Sequence, residues 1–267
     1  MIIAEGRDVL RHDFHAHSLQ SACGIHTVVE ILDIAAQKGV ETINICDHGN
    51  ASGRKMNFEV IANPKRTPME VRVAAGFPPV TVRLLAGIEA NILDHGDTDL
   101  PLVKMEEGAG HQFALISGGF HSYAKDLKRR KDSQANFEAL FKYVSRYPID
   151  ILTHPCIETF PLPVVELVQL AKEHQFALEV NNTNLVVSKT NLESVQQMIE
   201  EAYAQDVMLL CNSDGHTWHE LFECGAVRAL VEDEMNLVLE EVFPLNFGAW
   251  EQVCNRFPRI CSRVEGS

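Results

Sequence analysis

The stretch "RHDFHAHSLQSACG" (residues 11–24) places His15 and His17 two apart at the end of a strand-like pattern, with Asp13 just ahead. Residues i and i+2 of a strand point to the same side, so the two imidazoles face one way. They can grip one cation if other donors converge on them. Without such partners they are two ordinary histidines, and the ends of the other apolar runs decide between the readings.

Short apolar runs at 9–15, 42–47, 82–90, 113–119, 150–153, 176–181 and 208–213 read as strands. Amphipathic segments such as "TVVEILDIAAQKG" (27–39), "ANFEALFKYVSRY" (135–147), "VVELVQLAKEHQ" (164–175) and "LESVQQMIEEAYAQ" (192–205) lie between several of them. Strand–helix alternation predicts an α/β fold with a parallel sheet, open or closed into a barrel. Neither a G-x-G-x-x-G nor a G-K-[ST] phosphate loop is present, which weakens nucleotide-binding open-sheet options. Each run ends in a polar or metal-competent group: His15 and His17, Asp47 and His48, Glu89, His121, His154, then Glu179 with Asn181 and Asn182, then Asp214 and His216. A single strand-end histidine is usually just hydrogen-bonded. Seven such ends lie on one face of a parallel barrel, where active sites are built, and that favours a metal site. Imidazole with carboxylate suits zinc, iron and manganese. Six histidines with Glu89 and Asp214 exceed one four-coordinate ion, so a multinuclear centre is expected.

Bulk properties narrow the partners. The 267 residues carry a net charge of −14, which argues against duplex nucleic acid and anionic membrane surfaces. Hydrophobic content of 46% with 22% charged residues is globular composition. The seven cysteines are scattered without paired spacing, so a disulfide framework is not expected and a reducing, cytoplasmic location is. No signal-peptide pattern opens the chain and no run approaches the roughly 18 apolar residues of a membrane span. Residues 49–81 and 92–112 read as long loops that wall a site, and the tail from 234 as two closing helices.

The ordered motifs H-x-H, D-H-G, G-I-E-A-N, G-F-H, H-P and S-D-x-H resemble the PHP (polymerase and histidinol phosphatase) superfamily of metal-dependent phosphoesterases. "GIEANI", "GGFH", "THP", "ALEVNN" and "SDGHT" look most like its YcdX-like branch. The resemblance covers residues 11–217. It implies a TIM-like, distorted (β/α)7 barrel forming one domain over 1–267, with C-terminal helices within 234–260. It also implies about three divalent metals per chain, zinc, manganese or iron, at the C-terminal ends of the strands. By position, His15, His17 and Asp214 would hold the first metal with Glu89 as bridge, and Glu89, His121 and His154 the second. His48 and His216 would hold the third, with a ligand about six residues after His17. There the branch usually has histidine and its relatives aspartate, whereas this chain has Cys23, with His26 close behind as the other candidate. A thiolate is a good zinc ligand; a small buried cysteine is the bland alternative.

The expected activity is hydrolysis of a small phosphorylated substrate, a phosphomonoester. A metal-bound water, held by Glu89, Asp214, His15, His17 and His154, would attack phosphorus. Asp13 is expected to orient an imidazole, or else to be a plain strand-end aspartate. Lys125, in "KDLKRRKD" (125–132), either reaches the substrate phosphate or belongs to a solvated helix face. The alternatives are a phosphodiesterase or nuclease acting on short nucleotides, a TatD-like or amidohydrolase-like hydrolase, and a non-catalytic metal-binding protein. Self-association into a homo-oligomer is left open.

Overall fold

The computed structural model describes residues 8–21, 23–49, 70–73, 80–100, 113–122, 131–258 and 260, with backbone alone for 70–73 and 80. β1 (His12–Ala16) leads through a 3-10 turn to α1 (Val28–Lys38) and back to β2 (Thr42–Ile45). β3 (Glu70–Val73), β4 (Val80–Ala86), β5 (Ile88–Asn91) and β6 (Ile116–Gly119) follow. Alternation then resumes with α2 (Ser133–Val144), β7 (Ile151–Leu152), α3 (Val164–His174), β8 (Ala177–Asn181), α4 (Asn182–Val186), α5 (Leu192–Ala204) and β9 (Leu209–Asn212).

The helices start where local chemistry directs. Thr27 caps α1 by accepting from the Glu30 amide, Glu30 returns the bond to the Thr27 amide, and Gly39 closes the helix in the left-handed region at φ 78°. Asp132 and Asn191 cap α2 and α5 by accepting from the Ala135 and Ser194 amides. Ile31, Leu32 and Ala35 of α1 bury one face against Ile43, Ile45, Val82 and Leu84. α2, α3 and α5 cover β7 to β9 through a larger apolar cluster that includes Leu140, Leu167, Leu178 and Ile199. β1, β2, β5, β6, β8 and β9 are buried along their whole length, as parallel strands between covering layers are.

The strands form two sheets. One has the order β1-β2-β4-β3, parallel except for β3 at its edge; the other runs β5-β6-β7-β8-β9, all parallel. The single strand expected over 82–90 is broken at Gly87. A β-carbon there would lie 2.5 Å from Asn44 Oδ1, and the Asn44 amide is inserted between strands to donate to the Phe14 carbonyl at 2.9 Å. Two backbone seams join the sheets. The Gly49 amide donates to Glu89 O at 2.8 Å, and the Glu89 amide to Asp47 O at 3.1 Å. On the far side, His17 donates to Gly215 O at 3.0 Å and Asp214 to His15 O at 2.9 Å.

Side-chain amides complete the junction of β1 and β9. Asn212 Oδ1 accepts from the Phe14 amide at 3.1 Å. Fully buried Asn246 accepts from the Cys211 amide at 2.9 Å and donates to the His12 and Cys211 carbonyls at 2.8 and 2.6 Å. Below this junction an apolar plug of Phe14, Leu85, Ile151 and Leu210 packs on Leu245, Val253 and Phe257. The tail is more broken than the two expected helices. After α6 (Gly225–Arg228) and a π-helical turn at Ala229–Glu234 come α7 (Leu239–Val242), α8 (Pro244–Phe247) and α9 (Trp250–Arg256). Pro244 starts one of them, and Gly248 ends it with extended backbone.

Cysteines 23, 46, 156, 211 and 224 are free, in line with their spacing, but Cys254 is disulfide-bonded, a tie that spacing did not foretell. No helix among the described residues is long and apolar enough to cross a membrane. Replacing Asn246 by Leu leaves buried backbone groups of β1 and β9 without partners. The expected loss is about 2–3 kcal/mol, read as a lower urea midpoint with unchanged slope.

Candidate metal centre

The carboxyl ends of the parallel strands deliver their polar residues to one place. Glu89, buried on β5, is its centre. Its Oε1 lies 3.1 Å from both His121 Nε2 and His154 Nε2, and 3.6 Å from His15 Nε2. Its Oε2 lies 2.7 Å from His48 Nδ1 and 3.5 Å from His17 Nε2. Asp214 Oδ1 stands 3.1 Å from His17 Nε2, 3.3 Å from His15 Nε2 and 3.7 Å from His216 Nδ1. Among the described residues, three overlapping groups have donor atoms mutually within 4.8 Å: His15, His17 and Glu89; His48, Glu89 and His121; and His17, Cys23, His48 and His216.

The donor set suits cations. His15 and His17 bring Nε2 atoms to 3.0 Å, and His121 and His154 to 3.1 Å. Facing imidazole nitrogens either share one proton or turn their lone pairs on a common cation, and here both pairs also face the Glu89 carboxylate. His17 Nδ1 and His154 Nδ1 are buried without a hydrogen bond. His154 and Asp214 are held at φ 36° and 51°, backbone conformations that non-glycine residues seldom adopt outside functional sites.

Other residues orient the donors. Glu179 Oε1 accepts from His15 Nδ1 at 2.7 Å and from Asn212 at 2.9 Å. Its Oε2 accepts from the His154 amide at 2.8 Å and from Asn181 at 3.0 Å. Asn181 also donates to Asp214 Oδ2 at 3.0 Å, His121 Nδ1 lies 2.9 Å from Asn91 Oδ1, and Thr153 donates to Glu89 Oε1 at 2.8 Å. The sequence marks Glu179 as a strand-end polar residue without assigning it this task. Asp13, expected to orient an imidazole, binds backbone instead: it accepts from the amides of His15 and Ser213 at 3.2 Å each and from the Ser213 hydroxyl at 2.5 Å. Glu220 accepts from the amides of His216 and Thr217 at 3.0 and 2.9 Å and so shapes the turn that carries His216.

Cys23 reaches the cluster because its loop is tied down on both sides. Ser18 donates twice to Asp47 at 2.7 Å, Leu19 N donates to His26 O at 2.7 Å, and Ile25 N donates to His216 O at 3.0 Å. Gly24 permits the fold-back, since a β-carbon would lie 2.5 Å from His17 O and 2.7 Å from Ser18 O. His26 belongs to none of the three groups. Lys125 and most of the loops 49–81 and 92–112 lie outside the described residues. A cavity of about 360 Å³ opens over the cluster, lined also by Phe120, Ile157, Phe160, Asn184 and Lys189.

Charge within the cluster is mutually supported. Burial alone would raise the Glu89 carboxyl, but His121, His15 and His48 hold it well below the usual carboxylate range. Burial likewise opposes ionisation of the Cys23 thiol, yet hydrogen bonds with His216 and His48 bring it down to about 5. Against the penalty of burial, His48 is raised to about 9 by Glu89 and Cys23, and His216 to about 9 by Cys23 and Asp214.

No family model matches this chain. A protein named "Probable phosphatase" from Acetivibrio thermocellus is 29% identical over 222 residues, 83% of this chain and 86% of that one. The crystal structure of histidinol phosphate phosphatase from Lactococcus lactis, complexed with zinc, L-histidinol and phosphate, is similar in fold. Its TM-score is 0.53 at 15% identity over 83% of this chain and 92% of that one. A chain in the cryo-EM structure of archaeal ribonuclease P with mature tRNA is also similar, with TM-score 0.51 at 13% identity, over 94% of this chain and 87% of that one.

Metal-free protein is expected to hold Cys23 as a thiolate at neutral pH. A lowered thiol pKa adds stability above the unfolded value that is lost as pH falls through about 5. The raised imidazoles add stability below their unfolded value that is lost as pH rises through about 9. The thiolate absorbance difference between wild type and Cys23→Ser should therefore rise with a midpoint near 5; a midpoint near 9 contradicts the arrangement.

Proposed function

We propose that this chain is a metal-dependent phosphatase of the PHP type that hydrolyses a small phosphomonoester. The observation that carries the reading is the overlap of three donor groups, two of them sharing Glu89, at the carboxyl ends of parallel strands. The phosphatase name of the relative that aligns with most of this chain supports it. So does the fold likeness to a histidinol phosphate phosphatase. In this reading the two sheets, joined along both backbone seams, make one distorted (β/α)7 barrel and a single domain.

His15, His17, Glu89 and Asp214 would hold one divalent cation, Glu89, His121 and His154 a second, and Cys23, His48 and His216 a third. Such cations, when bound, lower the pKa of coordinated water and neutralise charge on phosphoryl oxygens. The remaining work belongs to the chain. Glu179 fixes the His15 ring so that Nε2 faces the cluster, and hydrogen bonds of this kind sharpen metal affinity. Thr153 and the imidazoles keep Glu89 ionised and oriented. Lys189 would face the substrate phosphate. It lines the cavity, and its backbone is held by bonds to Asn184 O and from Glu158 N, both 3.0 Å. Phe120, Phe160 and Ile157 offer apolar surface to the organic part of the ester.

The test is phosphate release from a panel of phosphomonoesters, using chelator-stripped protein reloaded with zinc, manganese or iron. Release should require metal and vanish in His15→Ala. Absence of release from every monoester with metal bound would overturn the reading, and release from diesters alone would move the reaction to phosphodiesters. Glu179→Gln is expected to weaken metal retention about 10- to 100-fold, measured by elemental analysis after dialysis. Unchanged retention would show that the His15 ring does not depend on it.

A further inference from the structure

We infer that the position framed by Cys23 is a thiolate-containing site selective for zinc, so that the centre holds two chemically different kinds of cation. This rests on the metal-centre reading above but not on the reaction assigned to it.

The Cys23 group differs from its neighbours in donor chemistry. One sulfur and up to three nitrogens, from His17, His48 and His216, lie mutually within 4.8 Å, a soft set that matches tetrahedral zinc. The other two groups contain no sulfur and are built of imidazole and the Glu89 carboxylate, donors that accept manganese or iron as well. His17 belongs also to the first of these groups. When its imidazole serves there, the Cys23 position keeps three protein donors and one open place, the usual form of a zinc site that exchanges ligands.

The surrounding fold holds the donors in place. The His17 ring stacks on His48 with centroids 4.4 Å apart and lies 4.6 Å from His216, and its Nδ1 is buried with no hydrogen bond. His216 Nδ1 is 2.7 Å from the Asp214 carbonyl, which fixes that nitrogen as the donor and leaves Nε2 to ligate. The Ile25–His216 backbone bond and the close approach at Gly24 bring the thiol loop against this turn. Cys23 also lines the cavity and, unlike the buried Cys46, Cys156, Cys211 and Cys224, is half-buried, so a cation can reach it from solvent.

Cobalt(II) titration of the chelator-stripped full chain tests the assignment, because cobalt–thiolate bonds absorb in the near ultraviolet. The expected result is a charge-transfer band that saturates at about one cobalt per chain, is displaced by zinc but not by manganese, and is absent in Cys23→Ser. Zinc retention in that variant should fall at least about 10-fold. Cobalt binding without the band, a band that survives in Cys23→Ser, or displacement by manganese as readily as by zinc would overturn it. If Cys23→Ser fails to fold, thiol labelling of the wild type decides: zinc must protect Cys23 from a water-soluble disulfide reagent, and manganese must not. A band in protein that releases phosphate from no ester leaves the zinc position standing and overturns the phosphatase reading. Metal-dependent release without the band does the reverse.

Discussion

A carboxylate with no access to water keeps its charge only if positive or hydrogen-bonding groups surround it. Glu89 meets that condition with five imidazoles from four separate segments of the chain: His15 and His17 at the end of β1, His48 after β2, His121 after β6 and His154 after β7. Each approaches from the carboxyl end of its strand, so the charge on Glu89 and the parallel register of the sheets are one constraint seen twice. A strand slipped by a single residue would turn its donor to the opposite face.

Around this centre a second buried acid does a different task. Glu179 does not meet Glu89 but binds the reverse side of the His15 ring, the His154 amide and the amides of Asn181 and Asn212. It thereby couples β1, β7, β8 and β9 at the level of the donors. One step further out, Asp13 ties the His15 backbone to Ser213, and Asn246 fills the junction of β1 and β9 from the C-terminal helices. Strands of two to five residues in this sheet have few ladder bonds of their own. Side-chain amides and carboxylates supply the missing ones.

The fold alone does not name the chemistry. Chains with a comparable backbone occur in a zinc-bound histidinol phosphate phosphatase and in a ribonuclease P assembly, and function is carried by sites rather than by architecture. In this chain the chemistry is carried by the composition of the cluster. Glu89 unites two of the donor groups, while a cysteine on a tightly folded loop gives the third a softer character.

The sequence by itself determined the strand–helix alternation and marked the strand-end candidates, from His15 to His216, that the fold gathers around Glu89. A histidine or acid at the end of an apolar run opposes the burial around it, and seven such ends in order leave a readable pattern. Only the tertiary structure decided the break at Gly87, the division of the tail into short helices, the backbone role of Asp13 and the part played by Glu179. It also placed Cys23 rather than His26 against His48 and His216. These features arise between segments far apart in sequence: His15 meets Glu179 across 164 positions and Ser213 meets Asp13 across 200. Periodicity reports which way a side chain faces along its own strand. It carries no information about which distant residue faces it, because that depends on how the parallel strands are ordered and staggered in space.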